Sequence, residues 1–103
     1  MTLYAGAISP ETLVVAVDTD DGVDLSGITD QEFTVENPDG QLLSWTWSLT
    51  SAAVDEVVFT HTFASNGSDA VTAGDYIVSG WLLTGVTRTR RIEPLHIPFE
   101  RYT

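Results

Sequence analysis

Residues 24–49 read DLSGITDQEFTVENPDGQLLSWTWSL, and the reading of this stretch decides the fold. Two strand-like runs are hinged on Pro38-Asp39-Gly40, where proline fixes φ and glycine tolerates a left-handed turn. In the second run Leu43, Trp45, Trp47 and Leu49 alternate with Ser44, Thr46 and Ser48. A period of two sends alternate side chains to opposite faces, so one face is expected to be buried and the other wet. Residues 41–50 therefore predict one continuous strand. Residues 30–37 predict its partner, with Phe33 and Val35 turned inward.

The pattern continues on both sides of the hairpin. Residues 12–19 (TLVVAVDT) are apolar on both faces, which predicts a central strand. Residues 54–64 place Val57, Phe59 and Phe63 on one side, and residues 75–84 are again apolar on both faces. Thr84-Gly85 marks a hairpin turn into a last strand over 86–99. Pro94 and Pro98 cannot donate ladder hydrogen bonds, so the second half of that strand belongs at an edge or a bulge. Residues 3–8 predict a short edge strand or arm ended by Pro10, and 65–74 a polar loop containing Asn66-Gly67. No helix, repeat or linker is read. A chain of 103 residues suffices for a single domain, 1–103, with 1–10 as an extended arm or edge strand. Six or seven short strands with regular turn punctuation predict an all-β sandwich.

Charge is distributed unevenly. There are 15 acidic residues against 4 arginines and no lysine, and every arginine lies at or after position 88. Residues 1–87 carry 13 acids and no base. A body this acidic repels phosphate backbones and anionic lipid surfaces, so neither nucleic acid nor membrane is an expected partner. Many carboxylates without lysine also fit a high-salt habitat, where self-repulsion is screened, as well as a high-GC source or plain drift in a protein that needs only solubility. The absence of cysteine excludes disulfides and thiolate metal sites. The N-terminal MTLYAGAISPET has no basic region and no long apolar run, which reads as no signal peptide.

Thr72-Ala73-Gly74-Asp75-Tyr76, leading into Ile77-Val78, resembles a tyrosine corner, in which a tyrosine at the start of a strand bonds back across the preceding turn. With Trp45 or Trp47 as the expected core tryptophan, the chain resembles an immunoglobulin-like sandwich. Val78 stands where a disulfide cysteine is usual. More narrowly, it is similar to the small immunoglobulin-like structural proteins of tailed phages and archaeal tailed viruses, and to the N-terminal sandwich of phage baseplate upper proteins. The residues that carry this likeness are 14–17, 18–22, Val23-Asp24-Leu25-Ser26-Gly27, 33–35, 38–40, 45–49 and 74–83. The resemblance implies about seven antiparallel strands, a place in a virion after synthesis in a host cytoplasm, other virion proteins as partners, and no catalysis.

Four groups of residues qualify as candidate sites. Asp18, Asp20, Asp21 and Asp24 form an oxygen-rich stretch of the kind calcium prefers, although EF-hand spacing is missing. A solvated acidic turn is the plainer reading, and no cofactor is expected. His61 falls on the face of Phe59 and Phe63 and reads as a packed or rim histidine; His96 stands alone. No nucleophile elbow, phosphate loop or spaced carboxylate pair points to an enzyme.

Ile77, Trp81 and Leu83 share one strand face, opposite Tyr76, Val78 and Leu82. With Tyr76 inward, that stripe faces out as a contact surface, or else lies under a terminal segment. Arg88, Arg90 and Arg91 follow the hairpin turn, and period two sends Arg88 and Arg90 the same way. Arginines meeting the acidic body of another copy would build a symmetric homo-oligomer or ring inside an assembly. The rival class is a carbohydrate- or host-surface-binding adhesion module, for which Trp45 or Trp47 would have to line an open groove, with or without calcium.

Overall fold

Alternation in the sequence reappears as alternation in burial: Leu13 and Val15 are buried, whereas Val14 between them is 57% exposed. The computed structural model describes residues 3–8, 10–18 and 22–101. Its strands are β1 (Leu3–Tyr4), β2 (Thr12–Asp18), β3 (Asp30–Glu36), β4 (Leu42–Leu43), β5 (Ser48–Ala52), β6 (Glu56–Thr62), β7 (Gly74–Thr84) and β8 (Thr87–Glu100). One sheet has the order β1-β8-β7-β3-β4 and the other β2-β6-β5. Neighbours are antiparallel except β1, which runs parallel to β8 through Leu3↔Phe99 and Tyr4↔Glu100. The all-β, two-sheet reading of the sequence holds, with eight strands among the described residues rather than about seven.

The extra strand comes from the tryptophan run. Leu42–Leu43 pairs with β3, and Ser48–Ala52 pairs with β6 in the other sheet. Residues between them change layers without joining a ladder, while Trp45 still points into the core. Alternation reports which side chains face the core, not which strand supplies the hydrogen bonds. Upstream, the β3–β4 turn is held by Asn37, whose Oδ1 accepts the N–H groups of Asp39 (3.0 Å) and Gln41 (2.8 Å). Gly40 completes it at φ +83°.

β2 is a second correction. It was expected to be central and lies instead at the edge of the three-stranded sheet. Its N-terminal neighbours leave to pair with β8, so no described strand covers its far side. β7 is central as expected. It lies between β8 and β3, with Tyr76, Val78 and Leu82 at most 1% exposed.

The two layers close on an aromatic centre. Trp45 stacks on His61 (4.6 Å between centroids, 6° between planes) and on Tyr76 (5.9 Å, 23°), with Phe63 and Phe99 edge-on. At one end of the core Tyr76 donates its hydroxyl proton to the Thr72 carbonyl at 2.7 Å and accepts the Thr72 N–H at 3.2 Å. Burial raises the pKa of this phenol, so the proton that makes the corner stays in place.

Candidate interaction face

The outer face of the five-stranded sheet is built by register. Residues directly opposite one another share a face. Asp30, Leu83 and Arg88 form one row across β3, β7 and β8; Glu32, Trp81 and Arg91 form the next; Glu36, Ile77 and His96 form another. Leu42 extends the last row across β4 and is 68% exposed. Along the strands the same residues make three lanes: acids on β3, apolar groups on β7 and bases on β8. Ile77, Trp81 and Leu83 are half-buried at the surface.

Trp81 lies beneath two cations. The Arg88 guanidinium carbon is 5.1 Å and that of Arg91 5.9 Å from its ring centroid. Such contacts contribute about 0.5–1 kcal/mol each at exposed sites. Arg88 then reaches across β7 to the Glu32 carboxylate, with both side chains about half exposed. The arginines do not share a face in the expected pairs. The β7–β8 register shifts between Leu82 and Leu83, so Leu83 faces Arg88 while Leu82 faces Arg90. This bulge turns Arg90 to the inner side and leaves Arg88 and Arg91 together outside. Arg90 lines a groove of about 330 Å³ between Ala16–Asp18 of β2 and the 90–95 stretch of β8, which Arg91 and Glu93 also border.

The acidic lane was not singled out from the sequence, although DQEFTVE carries its signal: Asp30, Glu32 and Glu36 alternate with Gln31, Phe33 and Val35. His96, its counterpart across β7, stands 3.8 Å from the Asp75 carboxylate at the surface.

The aspartate stretch divides. Asp20 and Asp21 lie outside the described residues. Asp24 accepts both the hydroxyl (2.6 Å) and the amide (2.8 Å) of Ser26, bonds that lower its pKa. Asp18 lies opposite Glu56 on β6. A hydrogen bond with Asp18, together with the charges of Asp18 and Asp55, raises the pKa of Glu56. Among the described residues no three side chains of metal-ligating type come together. The raised pKa fixes a sign: this pair adds stability at low pH and loses it as pH rises through the Glu56 value. Glu56→Gln should therefore raise the melting temperature slightly at pH 7 and remove that part of the pH dependence. A lower melting temperature at pH 7 would contradict the assignment.

His61 is 3% exposed. Its Nδ1 donates to the Thr46 carbonyl at 2.7 Å, and its Nε2 makes a hydrogen bond with Asp69 Oδ2 at 3.0 Å. The same Oδ2 accepts the Ala64 N–H at 2.8 Å, and the Asp69 carbonyl accepts Trp45 Nε1–H at 3.1 Å. These bonds tie the 64–70 loop to the core, so of the packed and rim readings of His61 the packed one holds. Trp45 is equally withdrawn, at 9% exposure. Trp47 is half-buried against Phe33, and its Nε1 is buried without a partner.

No described helix is long and apolar enough to cross a membrane. Comparison of the chain with family models, with curated proteins and with solved structures finds no match.

Proposed function

We propose that this chain is an immunoglobulin-like sandwich that serves as a non-enzymatic structural protein of a tailed virus, assembling with other virion proteins, and using the outer face of its five-stranded sheet as a contact that the assembly needs. The fold half of this reading is supported by strand order. A short first strand runs parallel to the last; β8, β7, β3 and β4 follow in one layer, and β2, β6 and β5 form the other. The Tyr76–Thr72 hydrogen bond adds the corner such sandwiches carry.

The functional half rests on one observation: the chain holds Trp81 on its outer surface, under Arg88 and Arg91, rather than in the core. Tryptophan and arginine are the side chains most enriched where binding energy concentrates. Burial of Trp45, with Trp47 half-buried against Phe33, weighs against the sugar-binding alternative, which needs one of the two rings in an open groove.

The test is incorporation. A tagged chain, expressed where its particles form, should band with them on a density gradient and occupy repeated positions in negative stain. Trp81→Ala should stay unincorporated, reducing the banded fraction at least tenfold while the melting temperature changes little. Absence of the wild-type chain from particles sinks the reading, as does full incorporation of Trp81→Ala.

A further inference from the structure

The three lanes of the outer face have a symmetry of their own. Acids (Asp30, Glu32, Glu36) lie on one flank of β7 and bases (Arg88, Arg91, His96) on the other, at matched heights along the strands. Two strand spacings, roughly 9–10 Å, separate the flanks. We infer that this face takes a second copy of the same chain, packed sheet to sheet about a two-fold axis parallel to β7. The inference rests on the assembly reading of this face and names its partner.

Symmetry leaves little choice of arrangement. A two-fold along the strands exchanges left and right while keeping height, so Glu32 of one copy faces Arg91 of the other, and Asp30 faces Arg88. A two-fold across the strands, in the plane of the sheet, sets acid against acid instead. For a chain with net charge −11 that second arrangement adds local repulsion to overall repulsion. The first places both arginines of each copy against the carboxylates of its partner. In both arrangements the contact is isologous, so it closes as a pair.

Apolar contact follows the same axis. Ile77, Trp81 and Leu83 of each copy meet their own counterparts, and Ser79, the small residue among them, lies on the axis. The Arg88–Glu32 pair that bridges Trp81 within one copy is solvent-exposed, and such pairs cost little to open. Leu42, exposed beside Glu36, widens the apolar contact.

Light scattering across a concentration series should show the mass rising from 11.2 kDa toward twice that value. Two charge reversals test the pairing. Arg88→Glu with Arg91→Glu makes both flanks acidic, and Asp30→Arg with Glu32→Arg makes both basic. Each double variant alone should remain at the monomer mass, and an equimolar mixture should return to the paired mass.

The chain has no cysteine, so Ser79→Cys gives a single reactive thiol. Sheets packed face to face stand about 10 Å apart, and a short bismaleimide should join two such copies. Thr34→Cys, one strand off the axis, should couple several-fold less. Wild type that stays at the monomer mass near 1 mM overturns the inference. So does a mixture of folded charge variants that fails to pair, or equal coupling at Ser79 and Thr34. Where the charge variants do not fold, the Ser79 and Thr34 coupling ratio decides alone. Monomeric wild type with particle incorporation that still depends on Trp81 removes the pairing and keeps the assembly role. Coupling at Ser79 with Trp81-independent incorporation does the reverse.

Discussion

Gly80→Ala is expected to lower folding stability by about 4 kcal/mol or more, a large share of the roughly 5–15 kcal/mol that a domain of this kind has. Gly80 lies on β7 at φ +136°, where side chains are strained. Space is the harder limit. A Cβ placed there would overlap the Glu32 carbonyl oxygen and stand 2.9 Å from Glu32 C and 3.0 Å from Phe33 Cα. All three are backbone atoms of β3, which cannot move without breaking the ladder that runs from Asp30↔Leu83 to Glu36↔Ile77. The β7–β8 register also shifts between Val78 and Gly80, so the glycine serves two irregularities at once. Urea denaturation measures the effect, and a loss below about 1 kcal/mol would show that β3 and β7 are not held so closely. Because Gly80 adjoins Trp81, this variant should also lose the outer face, but only in proportion to its unfolded fraction.

Trp45→Ala should cost about 3–5 kcal/mol in lost packing. It also leaves the Asp69 carbonyl without its indole donor, which adds roughly 1–3 kcal/mol if water does not replace it. The ring touches His61, Phe63, Tyr76, Phe99 and Trp47, so the cavity would open where both sheets and the 64–70 loop meet. Trp45→Phe should keep most of the packing and lose mainly the hydrogen bond, for about 1–2 kcal/mol. Denaturation of the two variants side by side separates these contributions. A Trp45→Ala protein of unchanged stability that loses affinity for an oligosaccharide would instead identify the ring as a ligand platform.

What the sequence disclosed follows a physical line. Period-two alternation located β3 and β6, because each has one face on the core and side-chain direction is local information, whereas β7 was legible as a run apolar on both faces and β8 from the turn at Thr84-Gly85. It misplaced β2, because Val14 and Ala16 are apolar yet exposed, and composition does not show whether a neighbouring strand exists. It joined β4 to β5, because Trp45 and Trp47 keep their inward period while the backbone changes sheet. Val78 stands buried in the core among other apolar side chains, with no thiol needed. At the outer face the apolar lane was legible from Tyr76 alone, since its inward ring sends Ile77, Trp81 and Leu83 outward. The partnership of Arg88 with Arg91 was not. One extra residue at the β7–β8 bulge inverts the facing of Arg90, Arg91 and Ile92 until the second shift, between Val78 and Gly80, restores it, and a bulge leaves no sure mark in sequence.

The side of β2 that no described strand covers has a consequence for the material in a tube. Thr12–Asp18, TLVVAVD, ends its sheet with no proline, lysine or register shift to blunt it, the devices by which edge strands usually avoid one another. What keeps such edges apart at neutral pH is the charge of −11 on every molecule. Near pH 4.1 that charge disappears while the edge remains. The protein's acidity thus acts as a colloidal guard for one strand, and acidified stocks are where fibres should nucleate.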